Sequence, residues 1–248
     1  MRFSQAWIVA TKDFSTFRKK KNIIYSTAVV PFVVAILLPS VVWYVTYHGK
    51  AGGWTPATLT TFLPTFAFFY LILAGVIPAT IASYSIVGEK VEKSIEPLLA
   101  TPTTDGEILF GKGIAAFVPV IATILGGSTV FMVLADIVAY GRLGYYYFPN
   151  WNTVIVLFIM VPLAIVMSVE WNVLVSSRVS DIRIAQQVGG LLVLPLAGIY
   201  LAGELSLISL GDTTNLLIIS AALALVDLAF LYFVRFTFRR EAILTKWR

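Results

Sequence analysis

The sequence predicts an all-α integral membrane protein: six transmembrane helices, both termini cytoplasmic, and an N-terminal interfacial amphipathic helix. Three observations carry this. Of 248 residues, 58% are hydrophobic and 12% charged, whereas soluble chains run at about half and about a quarter. Too little polar material remains to cover a globule in water. Six apolar stretches reach or approach the ~20 residues that cross a ~30 Å hydrocarbon layer. Sixteen of the eighteen lysines and arginines then fall on one side, and that side is expected to be cytoplasmic.

Residues 1–22 open the chain. Phe3, Trp7, Ala10, Phe14 and Phe17 recur at helical spacing, which gathers them on one face. Lys12, Asp13 and the run Arg18–Lys21 fall elsewhere or at the end. An apolar aromatic face beside a basic cluster suits a helix lying flat in the headgroup region; a helix packed on protein fits the same pattern.

The six-helix domain is expected over 23–248, with spans at 23–47, 62–87, 114–140, 153–175, 188–210 and 216–238. The first is too long for a cleaved signal, and no small-residue cleavage site follows it. Prolines interrupt five of them: Pro31 and Pro39, Pro64 and Pro78, Pro119, Pro162 and Pro195. Such prolines kink a membrane helix or serve as hinges. The fifth span is ambiguous beyond Tyr200, where Glu204 introduces a charge. Residues 206–211 read either as the end of that helix or as a short re-entrant piece.

The cytoplasmic loop at 88–112 is the most informative stretch. Val91, Ile95, Leu98 and Leu99 follow a helical apolar pattern, with Glu89, Lys90, Glu92, Lys93 and Glu96 on other faces. Pro97 opposes an unbroken helix, so two short turns meeting near Ser94 are expected. Thr104 and Glu107 have the spacing of a capping box and should start the helix of the third span.

The string Gly-Glu-Lys-Val-Glu-Lys-Ser-Ile-Glu-Pro-Leu-Leu-Ala-Thr-Pro at 88–102, followed by Glu107-Ile108-Leu109-Phe110-Gly111-Lys112, resembles the signature of type-2 ABC exporter permeases. Lys12-Asp13 and Arg18–Lys21 ahead of Pro31, and Ala185-Gln186-Gln187 ahead of Pro195, are similar to other landmarks of that family. Val91, Lys93 and Pro97 depart from its usual pattern. The resemblance implies that 88–102 is a coupling helix docking on an ATP-binding subunit. Glu89, Glu92 and Glu96 would meet basic groups there, and Ile95, Leu98 and Leu99 would fill a groove. It also implies that the first, second and fifth spans line the transport path, with Tyr44, Phe66, Phe69, Tyr70 and Tyr200 as path candidates; core packing is the rival role for each.

Glu170 in the fourth span and Asp227 in the sixth are acids inside the membrane, each eight residues before an arginine, Arg178 and Arg235. Buried acids in a bilayer face the bundle interior. They read as hydrogen-bonded structural groups or as a polar site for a cation, proton or cargo. On the outer side, Asp136, Tyr140, Arg142, Tyr145, Tyr146, Tyr147 and Trp151 form an aromatic rim. It reads as an interfacial belt or as a release surface for amphiphilic cargo.

With no cysteine and one histidine, His48, thiol chemistry and a His-rich metal centre are excluded. The net charge of +5 is explained by topology, so no nucleic-acid partner is expected. No phosphate loop of the Gly-x-x-x-x-Gly-Lys-(Ser/Thr) type occurs, so the chain should be no enzyme and carry no cofactor. ATP and Mg would bind on separate partner subunits. The reading is a permease subunit of an ABC exporter in the plasma membrane, paired with an identical or homologous second protomer and two ATP-binding subunits. Its cargo would be a hydrophobic or amphiphilic small molecule, lipid, peptide or ion. The rival is an ion-coupled secondary transporter using Glu170 and Asp227. A membrane-embedded enzyme ranks last, because no catalytic cluster is present.

Overall fold

The computed structural model describes residues 3–48, 54–91, 103–179, 181–205 and 207–237. Among these the chain is helical throughout, without strands. A helix at Phe3–Lys19 precedes six helices long and apolar enough to cross a membrane.

The first span runs Lys21–His48 and the second Pro56–Val91. The second begins earlier than its apolar run, because Thr55 and Pro56 start it. The Thr55 hydroxyl accepts from Thr58 N at 3.3 Å, and proline at the first helical position costs no hydrogen bond. The third span is Asp105–Leu143. Thr104 accepts from Glu107 N at 3.3 Å while Glu107 Oε2 accepts from Thr104 N at 2.9 Å, which is the predicted capping box. Gly144 ends the helix at φ 76°, a left-handed cap that favours glycine.

The fourth span is helical at Trp151–Ile155 and Val161–Arg178, joined by a π-helical turn at Val156–Met160. The turn answers Pro162. A proline cannot donate to the carbonyl four residues back, and widening the preceding turn lets Val161 N donate to Val156 O instead.

The fifth span departs from the single apolar run expected at 188–210. It forms Ile182–Gly190 and Val193–Glu204, broken at Leu191 and Leu192. Pro195 leaves the Leu191 carbonyl without its usual donor, and Leu194 N takes it at 3.0 Å. The helix stops at Glu204, and Leu207 N turns back to Ala202 O at 2.9 Å. The following residues are bends and turns that lead to the sixth span, Thr213–Thr237.

Burial orders the bundle. The second and fourth spans bury 61% of their most apolar windows, against 22–28% for the other four, so these two form the centre. Tyr70, Phe68 and Phe131 are the bulkiest side chains of the core. Interhelical polar contacts and small residues hold membrane helices together in place of a hydrophobic drive, and both occur here. Ser168 Oγ donates to Gly75 O at 2.7 Å, and Ser83 Oγ donates to Asn172 Oδ1 at 3.2 Å. These bonds join the second and fourth spans. Gly127 of the third span sits directly on Pro31 of the first.

Candidate functional site

Three regions hold the residues singled out by sequence. The first is the end where the second span stops and the third begins. Glu92, Ile95, Glu96, Leu98 and Leu99 lie outside the described residues; Glu89 lies in the last turn of the second-span helix. Around this segment the structure builds a frame. The second and third helices have 36 and 39 residues, so at 1.5 Å per residue each is more than about 50 Å long. That exceeds a ~30 Å hydrocarbon layer.

The N-terminal helix packs against the start of the third span. Ala6, Val9, Ala10, Asp13 and Phe17 are its buried residues, while Phe3 and Trp7 are exposed. The buried face is thus rotated from the expected aromatic one, because small residues permit the closest approach. A Cβ on Gly111 would lie 2.5 Å from the Ala6 carbonyl oxygen and 2.8 Å from Val9 Cβ. Phe3 still reaches Phe110 edge-on, with ring centroids 6.3 Å apart.

Asp13, expected off the packed face, is buried on it because it pairs with Lys112 at 3.6 Å. Beyond the helix end, the Lys20 ammonium meets the Tyr84 hydroxyl and lies 3.9 Å from its ring centroid. The N-terminal segment is therefore fastened to both helices that flank the 92–102 segment.

The second region is one face of the second span. Phe66 and Phe69 lie partly exposed on it, their centroids 6.3 Å apart, and Tyr200 of the fifth span packs on Phe69 at 5.5 Å. Trp54 extends the row, 6.5 Å from Phe66. Three of the five aromatic path candidates thus come together. Tyr70 turns the other way: fully buried, it donates to Gly127 O at 3.1 Å and packs on Phe131. Its contacts are those of a core residue. Tyr44 is apart from this group, exposed near the end of the first span and stacked on His48 at 5.7 Å.

The third region joins Glu170 and Asp227, which sequence separates by more than fifty residues. The fourth and sixth spans pack side by side, and Asp227 lies within electrostatic reach of Glu170. Glu170 Oε2 and both Asp227 oxygens are buried without a hydrogen-bond partner among the described residues. Glu170 also lines a cavity of 670 Å³ between the third, fourth and sixth spans.

Sequence reading missed Asn172, two positions on. Asn172 Nδ2 donates to Ser168 O at 2.7 Å, and its Oδ1 accepts from Ser83. Gly189 of the fifth span fits against its amide. An amide within an apolar run was the available signal.

At the opposite end, Asp136 is buried and accepts from Tyr147 N at 2.9 Å and Phe148 N at 3.1 Å. It fixes the loop that carries the rim rather than belonging to an exposed surface. Tyr145, Tyr146 and Trp151 are more than half exposed. Tyr147 turns inward, its hydroxyl donating to Thr60 O at 3.2 Å. Burial, aided by Tyr145, pushes its phenol above the usual tyrosine range. Asn152 donates to Gly211 O at 2.7 Å, tying the turn after the fifth span to the start of the fourth.

Comparison with known proteins agrees with this architecture. The family described as ABC-2 family transporter protein matches residues 7–200, from the N-terminal helix into the fifth span. No curated protein matches the chain significantly. With six apolar helices and a family match over most of its length, the chain belongs to the ABC-2 transporter family and is a multi-pass membrane permease.

Proposed function

We propose that the chain is the membrane subunit of an ATP-driven exporter in the plasma membrane, acting with two ATP-binding subunits and a second permease protomer. The observation that carries this reading is the 88–102 motif, set between two helices longer than the bilayer is thick and framed at its root by the N-terminal helix. A short segment held by such a frame passes displacement into the membrane instead of absorbing it. Glu89, Glu92 and Glu96 dock against basic groups of the ATPase, and Ile95, Leu98 and Leu99 fill its groove. ATP and Mg bind on that partner.

The basic end of the bundle faces the cytoplasm, placing both termini there, and the exposed aromatic side of the N-terminal helix (Phe3 and Trp7) lies at the inner membrane surface. The face bearing Phe66, Phe69 and Tyr200 lines the path between protomers. Cargo is a hydrophobic or amphiphilic molecule, lipid, peptide or ion, moved outward.

Replacing both Glu92 and Glu96 by lysine should abolish capture of the ATP-binding subunit while membrane insertion and thermal unfolding stay unchanged. Capture at wild-type affinity would overturn the docking role of these acids. A second reading, ion-coupled carriage, is favoured by one observation: two intramembrane acids, Glu170 and Asp227, on the packed fourth and sixth spans with carboxyl oxygens that have no hydrogen-bond partner among the described residues. It requires gradient-driven transport in proteoliposomes without ATP, lost in Glu170→Gln and Asp227→Asn.

A further inference from the structure

The cavity of 670 Å³ lies at the basic end of the bundle, with Thr104 and Arg235 among its lining residues. Its walls are apolar: Leu109 and Phe117 from the third span, Val169 and Val173 from the fourth, Leu231 and Val234 from the sixth. This size and composition match small-molecule sites, which join apolar walls to a few polar groups.

Charge decides what fits. Glu170 projects from the cavity wall, and its Oε2 is buried without a partner among the described residues. Asp227 is 7% exposed, with both oxygens equally unpartnered. It does not line the cavity itself: it sits one helical turn before Leu231 and two before Val234, on the same helix face but farther from the mouth. Arg235, the one cation of the lining among the described residues, is exposed and eight residues from Asp227, about 12 Å along the helix. The site is acidic in depth and basic only at its rim.

Two occupants fail on physical grounds. A hard divalent cation such as Ca²⁺ takes six or more oxygen ligands, and among its described lining residues the cavity offers one carboxylate, Glu170. A phospholipid filling the groove keeps its amine at headgroup level. Glu170 lies eight residues, about 12 Å, above Arg178, so only acyl chain would reach the acid. A bulky organic cation satisfies both wall and acid: its hydrocarbon surface fills the apolar volume, and its dispersed charge loses little hydration on burial.

We propose that this cavity binds a lipophilic organic monocation, with the carboxylate of Glu170 as its counter-charge. The third span leaves room for the ligand at Gly113, where an added Cβ would come no nearer than 4.0 Å to Val169. The site opens on the inner-leaflet half of the bundle, away from the face bearing Phe66, Phe69 and Tyr200. It serves as a loading site for cargo drawn from the membrane. This names a cargo class for the export reading and rests on it, although the binding site itself is tested without nucleotide.

The test is equilibrium binding of radiolabelled tetraphenylphosphonium to the protein in lipid nanodiscs, with whatever subunit co-purifies, against empty nanodiscs. Saturable binding of one cation per protomer is expected. Affinity should fall at least ~10-fold in Glu170→Gln, a loss near 1.4 kcal/mol. Gly113→Leu places a bulky side chain in the cavity while leaving both acids in the chain, and should abolish binding. The uncharged triphenylphosphine oxide should not compete.

Non-saturable uptake equal to that of empty discs overturns the proposal. So does unchanged affinity in Gly113→Leu, the deciding variant should the Glu170 variant fail to fold. If an ATPase subunit co-purifies but tetraphenylphosphonium does not bind, the cargo class is wrong and the export reading stands. If binding is as expected but no ATPase is found, the site stands and the export reading falls.

Discussion

A Lys112→Met variant is expected to lose the docking of the N-terminal helix, at a cost of about 3–5 kcal/mol, the range for removing one partner of a buried ion pair. Asp13 and Lys112 meet at 3.6 Å with side chains only 6% and 4% exposed. Without the ammonium, the Asp13 carboxylate loses this ion pair in a buried contact, which favours its leaving the interface. The helix is one local unit at the edge of the bundle, so the change should appear there before the bundle melts. Fluorescence of Trp7, nearly two turns from the contact on the same helix, reports the undocking, and limited proteolysis confirms it. The double variant Asp13→Leu with Lys112→Met removes both charges and should recover most of the loss, because an apolar pair of similar size packs as well. If Lys112→Met keeps wild-type fluorescence and protease resistance, the ion pair is not what seats this helix.

The second large effect is expected at the contact of the first and third spans. In Gly127→Leu the new Cβ would lie 2.9 Å from both Pro31 Cβ and the Pro31 carbonyl oxygen. The obstacle is backbone, which cannot swing aside, so the two helices must separate. Overpacking of this kind costs about 1–3 kcal/mol and sometimes more. The loss should be larger here because the Gly127 carbonyl also accepts the Tyr70 hydroxyl. Gly126→Ala provides the contrast. Its Cβ would meet only the tip of the Phe32 ring at 3.4 Å, and alanine is the better helix former by roughly 0.5–1 kcal/mol. Thermal unfolding in one detergent should therefore rank Gly126→Ala level with or above the wild type and Gly127→Leu well below it. Equal midpoints for the two variants would contradict the assigned contact.

Local chemistry was legible from the residues wherever its partners are near in sequence. The capping box at Thr104 and Glu107 forms as its spacing predicts. Six apolar runs appear as six helices. Where backbone chemistry modifies a run, hydropathy alone misplaced the limits. Thr55 and Pro56 start the second span early, and Pro162 draws a π turn before it. Pro195 and the turn after Glu204 divide and shorten the fifth span.

Contacts between distant segments were not legible. Asp13 reads as a surface charge until the third span supplies Lys112. Tyr70 and Phe69 are neighbours in sequence, yet successive helical residues point about 100° apart. One enters the core and the other joins Tyr200. Periodicity identified an aromatic stripe on the N-terminal helix but could not show that Gly111 selects the side bearing Ala6 and Ala10. That Glu170 and Asp227 belong to adjacent helices likewise follows from the packing of the fourth span on the sixth. The motif at 88–102 speaks through resemblance alone, since Glu92, Ile95, Glu96, Leu98 and Leu99 lie outside the described residues.

Extraction of the native protein in mild detergent, followed by identification of what co-purifies, tests the exporter reading most directly. The account predicts a stoichiometric subunit with a phosphate loop and nucleotide hydrolysis. A preparation free of any ATPase, yet active in flux driven by an ion gradient, would contradict it and transfer the chemistry to Glu170 and Asp227.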